Sequence, residues 1–221
     1  MATTSDVDSR TTTRLCFEAV ARRRIPVRYV GGFTTFRAAF PDLADQGNLL
    51  IEWCKEFRQG AIPEKGWHLW GGVGRGKTGL AFSVASELIC RGFEVEVWTF
   101  AEFISGLRAS FDKKNEFAPS EKEIFERAVK ADLLIVDDLG AERIRAGSDF
   151  ALSALQEIVD RRYRDMKPII VTSNFSLGVL YSKFAEVDTC GMAERILSRF
   201  QEMLKAMEIT GSDKRAEGSS K

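Results

Sequence analysis

A chain of 221 residues carrying 32 Lys+Arg against 32 Asp+Glu has a formal net charge of zero, which speaks against bulk positive charge as a grip on nucleic acid. That length suits one domain, or one plus a small appendage, with a sizeable core, and the 44% hydrophobic and 29% charged content is ordinary for a soluble globular protein and argues against global disorder. The single histidine, His68, excludes a multi-His metal centre and speaks against a Ser-His-Asp triad.

Residues 1–14 are rich in Thr, Ser and Asp without apolar periodicity and read as a loose tail. They contain no apolar signal core. No apolar run reaches the roughly 20 residues that span a bilayer. Cys16, Cys54, Cys90 and Cys190 lie far apart with no CxxC pair and read as reduced thiols. Together these features predict a cytoplasmic protein without a membrane span. Leu15 to Arg24 reads as a short basic helix. Within residues 1–40 seven arginines (10, 14, 22, 23, 24, 28 and 37) face Asp6, Asp8 and Glu18, an excess of four positive charges. That excess fits either a solvated helix end or a contact for phosphate or an acidic partner.

The apolar positions of Asn48 to Phe57 predict a helix face. Gly60, Pro63 and Gly66 mark a turn. From Trp67 onward strands and helices alternate. Trp67–Trp70 is a strand, and a helix runs from about Lys77 to Cys90, with Gly92 as its stop signal. Glu94–Phe100 alternates with period two and reads as a strand, and Phe103, Ile104, Leu107 and Phe111 form the next helix face. A polar stretch at 112–122 and a helix near 121–130 lead into the buried strand LLIVDD. Ser148 is a candidate N-cap for a helix to about Arg164. Pro168–Asn174 is a further strand, followed by helices near 176–184 and 192–205 and a short strand at 207–210. The alternation predicts an α/β fold with a mainly parallel, five-stranded sheet flanked by helices.

Gly71, Gly72, Val73, Gly74, Arg75, Gly76, Lys77 and Thr78 fit G-x-x-x-x-G-K-[ST] between a predicted strand and a predicted helix, the context of a phosphate-binding P-loop. Glycines let consecutive amides turn toward one anion, and the helix N-terminus adds its dipole; Gly79 continues the same turn. Lys77 suits the β- and γ-phosphates and Thr78 a Mg²⁺ ion. Asp137 and Asp138 end the buried strand sixty residues after Lys77. Parallel strands bring their C-terminal ends to one sheet edge, so Asp137 can meet that Mg²⁺. Asp138 is then placed to orient or deprotonate a water. Asn174 ends another strand at the same edge. Arg195 and Arg199, spaced i and i+4, share one face of the 192–205 helix. They read either as solvated arginines or as an arginine finger that serves a neighbouring subunit.

These features resemble the AAA+ ATPases, and more closely the DnaC-type helicase loaders and the related IstB transposition helpers. The resemblance rests on Ile25-Pro26-Val27-Arg28-Tyr29 with Phe33 and Phe36, on GGVGRGKT, on DLLIVDDLGAE (132–142), on VTSN (171–174), on ERILSRF (194–200) and on EITGSDKR (208–215). It implies a Walker A role for Lys77 and Thr78 and a Walker B role for Asp137, with Asp138 as the catalytic acid. It implies a sensor role for Asn174, a finger role for Arg199 with Arg195 as its substitute, a second sensor-like role for Arg215, and an approach of Tyr29 to the nucleotide base. Many AAA+ proteins carry Glu where Asp138 stands, and the shorter acid is expected to slow hydrolysis.

The expectation is therefore a tail at 1–24, a P-loop AAA+ domain at 25–215 and a tail at 216–221. The domain would bind ATP and Mg²⁺, assemble as a homo-oligomer, and help load a replicative DNA helicase on single-stranded DNA. Two alternatives stand beside it. One is a transposition helper acting on duplex DNA with a transposase. The other is a binding module that holds ATP and hardly hydrolyses it. Phe100, Phe103 and Phe111 are candidate base-stacking platforms, although their helical spacing favours core packing.

Overall fold

The structure is a computed structural model that describes residues 25–110, 119–141 and 149–213. The two expected tails, Phe111, Ser148 and Arg215 lie outside the described residues.

A single-turn helix at Val27–Tyr29 precedes α1 (Gly32–Ala39) and α2 (Ala44–Glu56). The alternating part follows: β1 (Gly66–Trp70), α3 (Lys77–Cys90), β2 (Val95–Thr99), α4 (Phe100–Ser110), α5 (Glu121–Lys130) and β3 (Leu133–Asp137). It continues with α6 (Asp149–Arg164), β4 (Ile169–Ser173), α7 (Leu177–Ala185), α8 (Met192–Met203) and β5 (Leu204–Glu208). The five strands form one sheet in the order β2-β3-β4-β1-β5, and every pairing is parallel.

The central strands read as unbroken apolar runs because helices cover both faces. Leu133 and Ile135 of β3 pack with Trp53, Leu80 and Val84 of α2 and α3, on the face that also takes Phe33 and Phe36. Leu134 and Val136 turn the other way, toward Phe103, Ile124, Leu155 and Ile196 of α4, α5, α6 and α8. Phe100 and Phe103 are 1% and 4% exposed within this second core, so neither offers a surface for stacking bases.

Two buried polar side chains lie among the layers, and one of them, Arg162, braces them away from the strands' C-terminal edge. Arg162 of α6 is fully buried. Its Nη1 donates to the carbonyls of Ala128 (2.7 Å) and Ala131 (2.9 Å), and its Nη2 to that of Pro168 (2.7 Å). It thereby ties the end of α5 to the chain entering β3 and β4. Burial lowers its pKa to about 9. His68 of β1 is also fully buried. Burial lowers its pKa to about 4, and the nearby Phe175 backbone offsets only part of that shift. No hydrogen bond of ordinary geometry reaches either ring nitrogen, so His68 is a neutral core residue. Among the described residues Cys54 and Cys190 are free thiols, and Cys16 lies outside the described residues.

Several boundaries differ from expectation. The helix expected from Asn48 begins at Ala44, after a turn at Pro41–Leu43. The last strand runs Leu204–Glu208 rather than 207–210, because α8 stops at Met203. Helix α1 was not anticipated. Among the described residues no helix is long and apolar enough to cross a membrane.

Candidate functional site

The C-terminal ends of β1, β3 and β4 converge on a cleft of about 420 Å³. Val73, Gly74, Arg75, Gly76, Lys77, Thr78 and Gly79 line it from the β1–α3 loop, with Asp138 and Asn174 from the ends of β3 and β4. Arg28, Tyr29, Thr35, Phe36 and Phe40 close the opposite wall. Tyr29 meets Phe82 edge-on at 5.2 Å, and Phe36 stacks on Phe40 at 5.1 Å. The cleft thus has a polar floor and an aromatic wall.

Lys77 begins α3 and is only 5% exposed. Its ammonium donates to Gly71 O (2.9 Å), Gly72 O (2.6 Å) and Asn174 Oδ1 (2.8 Å). Those bonds take up the three donors of an ammonium, which compensates the cost of burying it. Gly71 and Gly72 therefore act on Lys77 through their carbonyls and do not line the cleft. Gly74 and Gly76 hold left-handed backbones, with φ of 76° and 94°, where the loop turns into α3.

Thr78 Oγ1 donates to Asp137 Oδ1 at 3.0 Å, so the P-loop and the end of β3 meet as expected. Thr172 of β4 donates to the same oxygen at 2.5 Å and accepts from the Asp138 amide at 2.9 Å. Sequence reasoning missed Thr172; its place two residues before Asn174 on a strand beside β3 was the available signal. Asp137 is 3% exposed, and burial is the main reason its pKa rises from 3.8 to about 6. The Thr172 and Thr78 hydroxyls pull it back in part, while Asp138 pushes it further up. Asp138 itself takes a left-handed turn, φ 57°, that carries its side chain away from the strand and into the cleft wall.

The donors suit a small hard cation: one hydroxyl and one carboxylate, both oxygen, 3.0 Å apart at the mouth of the loop. Among the described residues no group of three or more His, Cys, Asp or Glu is poised around a metal. Thr78 and Asp137 would hold a Mg²⁺ ion here.

Arg195 and Arg199 lie elsewhere. They line a shallow groove between α6 and α8 together with Gln156, Asp160 and Glu194. Arg199 pairs with Asp160 at 3.4 Å and lies over the Tyr163 ring at 4.3 Å. Neither arginine lines the cleft of its own chain. The Arg75 guanidinium is also engaged away from the floor, on the carbonyls of Thr210 and Gly211.

Comparison with known proteins agrees with this geometry. The replicative helicase loader DnaC of Escherichia coli K12 is 28% identical over 131 residues, 59% of this chain and 48% of that protein. A candidate ATP-binding protein of insertion sequence IS5376 from Geobacillus stearothermophilus is 34% identical over 108 residues, 49% of this chain and 39% of its own. The chain thus spans about half or less of the length of these curated relatives. Among solved structures, a candidate primosome component from Streptococcus pyogenes serotype M3 superposes with a TM-score of 0.65 at 22% identity, covering 89% of this chain and 98% of that one. The crystal structure of the DnaC helicase loader superposes with a TM-score of 0.59 at 21% identity, covering 73% and 86%. The parallel five-stranded sheet flanked by helices is that of the AAA+ P-loop NTPases. The profile of the IstB-like ATP binding proteins matches residues 64–221, well over half of the chain, and the chain belongs to that family.

Proposed function

We propose that this chain is an ATP-hydrolysing switch that helps load a replicative DNA helicase onto single-stranded DNA, with Mg²⁺ as its metal. What carries the reading is the meeting of Lys77, Asn174, Thr78 and Asp137 through hydrogen bonds of 2.8 and 3.0 Å. The stretch that aligns with the Escherichia coli helicase loader supports it further.

In this reading Lys77 exchanges part of its hold on Gly71, Gly72 and Asn174 for phosphate oxygens. Binding therefore begins from a lysine already aimed and desolvated. Thr78 and Asp137 would hold a Mg²⁺ ion, which when bound would supply charge neutralisation on the phosphates. Asp138 orients the attacking water and takes its proton as the water oxygen bonds to the terminal phosphorus and the bridging oxygen leaves. Asn174 stays within reach of both Lys77 and the terminal phosphate, so it can report which nucleotide is present. Tyr29 and the aromatic wall take the base. Arg199, with Arg195 beside it, serves the nucleotide of a neighbouring copy in a homo-oligomer.

The test has two parts. Lys77→Ala is expected to abolish ATP binding measured by titration with a fluorescent ATP analogue; wild-type affinity would sink the reading. ATP is expected to strengthen binding to single-stranded DNA in a gel-shift assay, relative to ADP or no nucleotide. Equal affinity in all three states would overturn the loader mechanism.

A second reading, a transposition helper, is favoured by the family match and by the 34% identity to the insertion-sequence protein. An ATP-dependent preference for duplex over single-stranded DNA in the same assay would select it. ATP binding without measurable turnover, with or without DNA, would select a regulatory binding module instead.

A further inference from the structure

The loop that takes phosphate in the proposed function is braced from outside by the chain that follows β5. The Ile209 amide donates to Trp70 O at 2.7 Å, which carries the β1–β5 pairing to the last residue before the loop. From there residues 209–213 cross the loop's outer side as a strap. Arg75 Nη1 donates to Thr210 O (2.9 Å) and Gly211 O (2.8 Å). A side chain at either of two loop glycines would collide with the strap. A Cβ on Gly71 would stand 2.4 Å from Ile209 O, and one on Gly74 would stand 1.9 Å from Asp213 Oδ1. These glycines are bare for the strap as well as for the turn of the loop.

The strap's far end is pinned to a third element. The Ser212 amide donates to Asp42 Oδ2 at 2.8 Å, and the Ser212 hydroxyl to the same oxygen at 3.2 Å. Asp42 sits in the turn at Pro41–Leu43, whose Leu43 packs against the loop beside Gly76. The contacts close a ring from loop to Arg75, strap, Asp42, turn and back to loop. Thr210, Gly211 and Asp42 do not line the cleft, so most of this ring is out of a nucleotide's reach. A guanidinium on two carbonyls is a charge-assisted clamp, stronger than a neutral hydrogen bond. A ligand that favours one shape of the loop must then favour the docked strap, and the docked strap must favour the ligand by the same factor.

We propose that Arg75 is a positioning residue, and that nucleotide occupancy and docking of residues 209–213 are coupled through it and Asp42. The inference rests on the ATP reading above, so binding and docking are measured separately. Nucleotide affinity is read by titration with a fluorescent ATP analogue, and docking by amide hydrogen exchange at residues 209–213 in the full chain. In the wild type, nucleotide is expected to slow exchange across the strap. Arg75→Gln and Asp42→Asn are each expected to weaken binding about 5- to 20-fold and to abolish that slowing, with nucleotide-free melting temperatures close to wild type. Arg75→Lys should recover part of both, because an ammonium can serve one carbonyl. If Arg75→Gln fails to fold, Asp42→Asn and Ser212→Ala carry the test.

Three results overturn the proposal, and they are distinguishable. Wild-type protein that binds the analogue with unchanged strap exchange would show an uncoupled strap. Weakened binding in Arg75→Gln beside full affinity in Asp42→Asn would make Arg75 a direct phosphate ligand. Wild-type protein that binds no analogue would remove the ATP reading itself, and the coupling with it.

Discussion

Asp137 is nearly buried beneath the P-loop, and its pKa stands near 6 rather than 3.8. A raised carboxyl pKa means that the folded chain holds its proton more tightly than the unfolded chain does. Asp137 therefore adds stability as pH falls from about 6 toward 3.8, and costs stability above 6, where it must ionise. The full cost at neutral pH is about 3 kcal/mol in the nucleotide-free protein. Asp137→Asn should thus stabilise the nucleotide-free protein at pH 7.5 by about 1–3 kcal/mol in urea unfolding, because the amide carbonyl can still accept from Thr78 and Thr172 without carrying a charge. It should also flatten the pH dependence between 6 and 4. The same variant should lose the extra melting-temperature rise that Mg²⁺ adds to ATP. A destabilised variant at pH 7.5 would contradict the balance drawn here.

Among the elements, those that end at the cleft were the legible ones. GGVGRGKT, LLIVDD and VTSN each join a strand to a polar tip, and a parallel sheet leaves such tips only one edge to share. Asn174 could therefore be assigned to the cleft before its contact with Lys77 was known. Helix α1 was illegible because its glycine, two threonines and two buried phenylalanines make a weak helical pattern; packing on α3 holds it. Strand β5 was misplaced for a related reason. It is an edge strand with Leu204 and Met207 buried but Lys205 and Ala206 exposed, so its pattern has no period of two. Arg162 was invisible for want of any local signal, since its partners lie 6 to 34 residues away. Arg162→Met should cost at least about 3 kcal/mol in urea unfolding, because several carbonyls lose their donor inside the core. Its effect on ATP affinity should be small, as these contacts are made where the chain enters β3 and β4, away from the cleft. Loss of ATP affinity without loss of stability would contradict that separation.

For the whole molecule, zero net charge excludes only a grip dominated by charge; any hold on DNA must be local. The arginines of α8 set a similar condition, since neither lines the cleft of its own chain. Arg199→Ala should bind ATP normally and lose turnover. Mixed with Lys77→Ala, it should regain part of that turnover, because each variant supplies what the other lacks. No recovery on mixing, with turnover lost in both, would argue against service in trans.

The sheet order has a consequence for synthesis on the ribosome. Strand β1 carries the P-loop, yet its neighbours are β4 and β5, which begin at Ile169 and Leu204. The strand that leads into this loop must wait for β5, the last strand among the described residues, before both of its edges are covered. At ordinary elongation rates that wait is on the order of ten seconds. Until β4 has been made, β1 is an unpaired apolar strand, the kind of surface that chaperones hold.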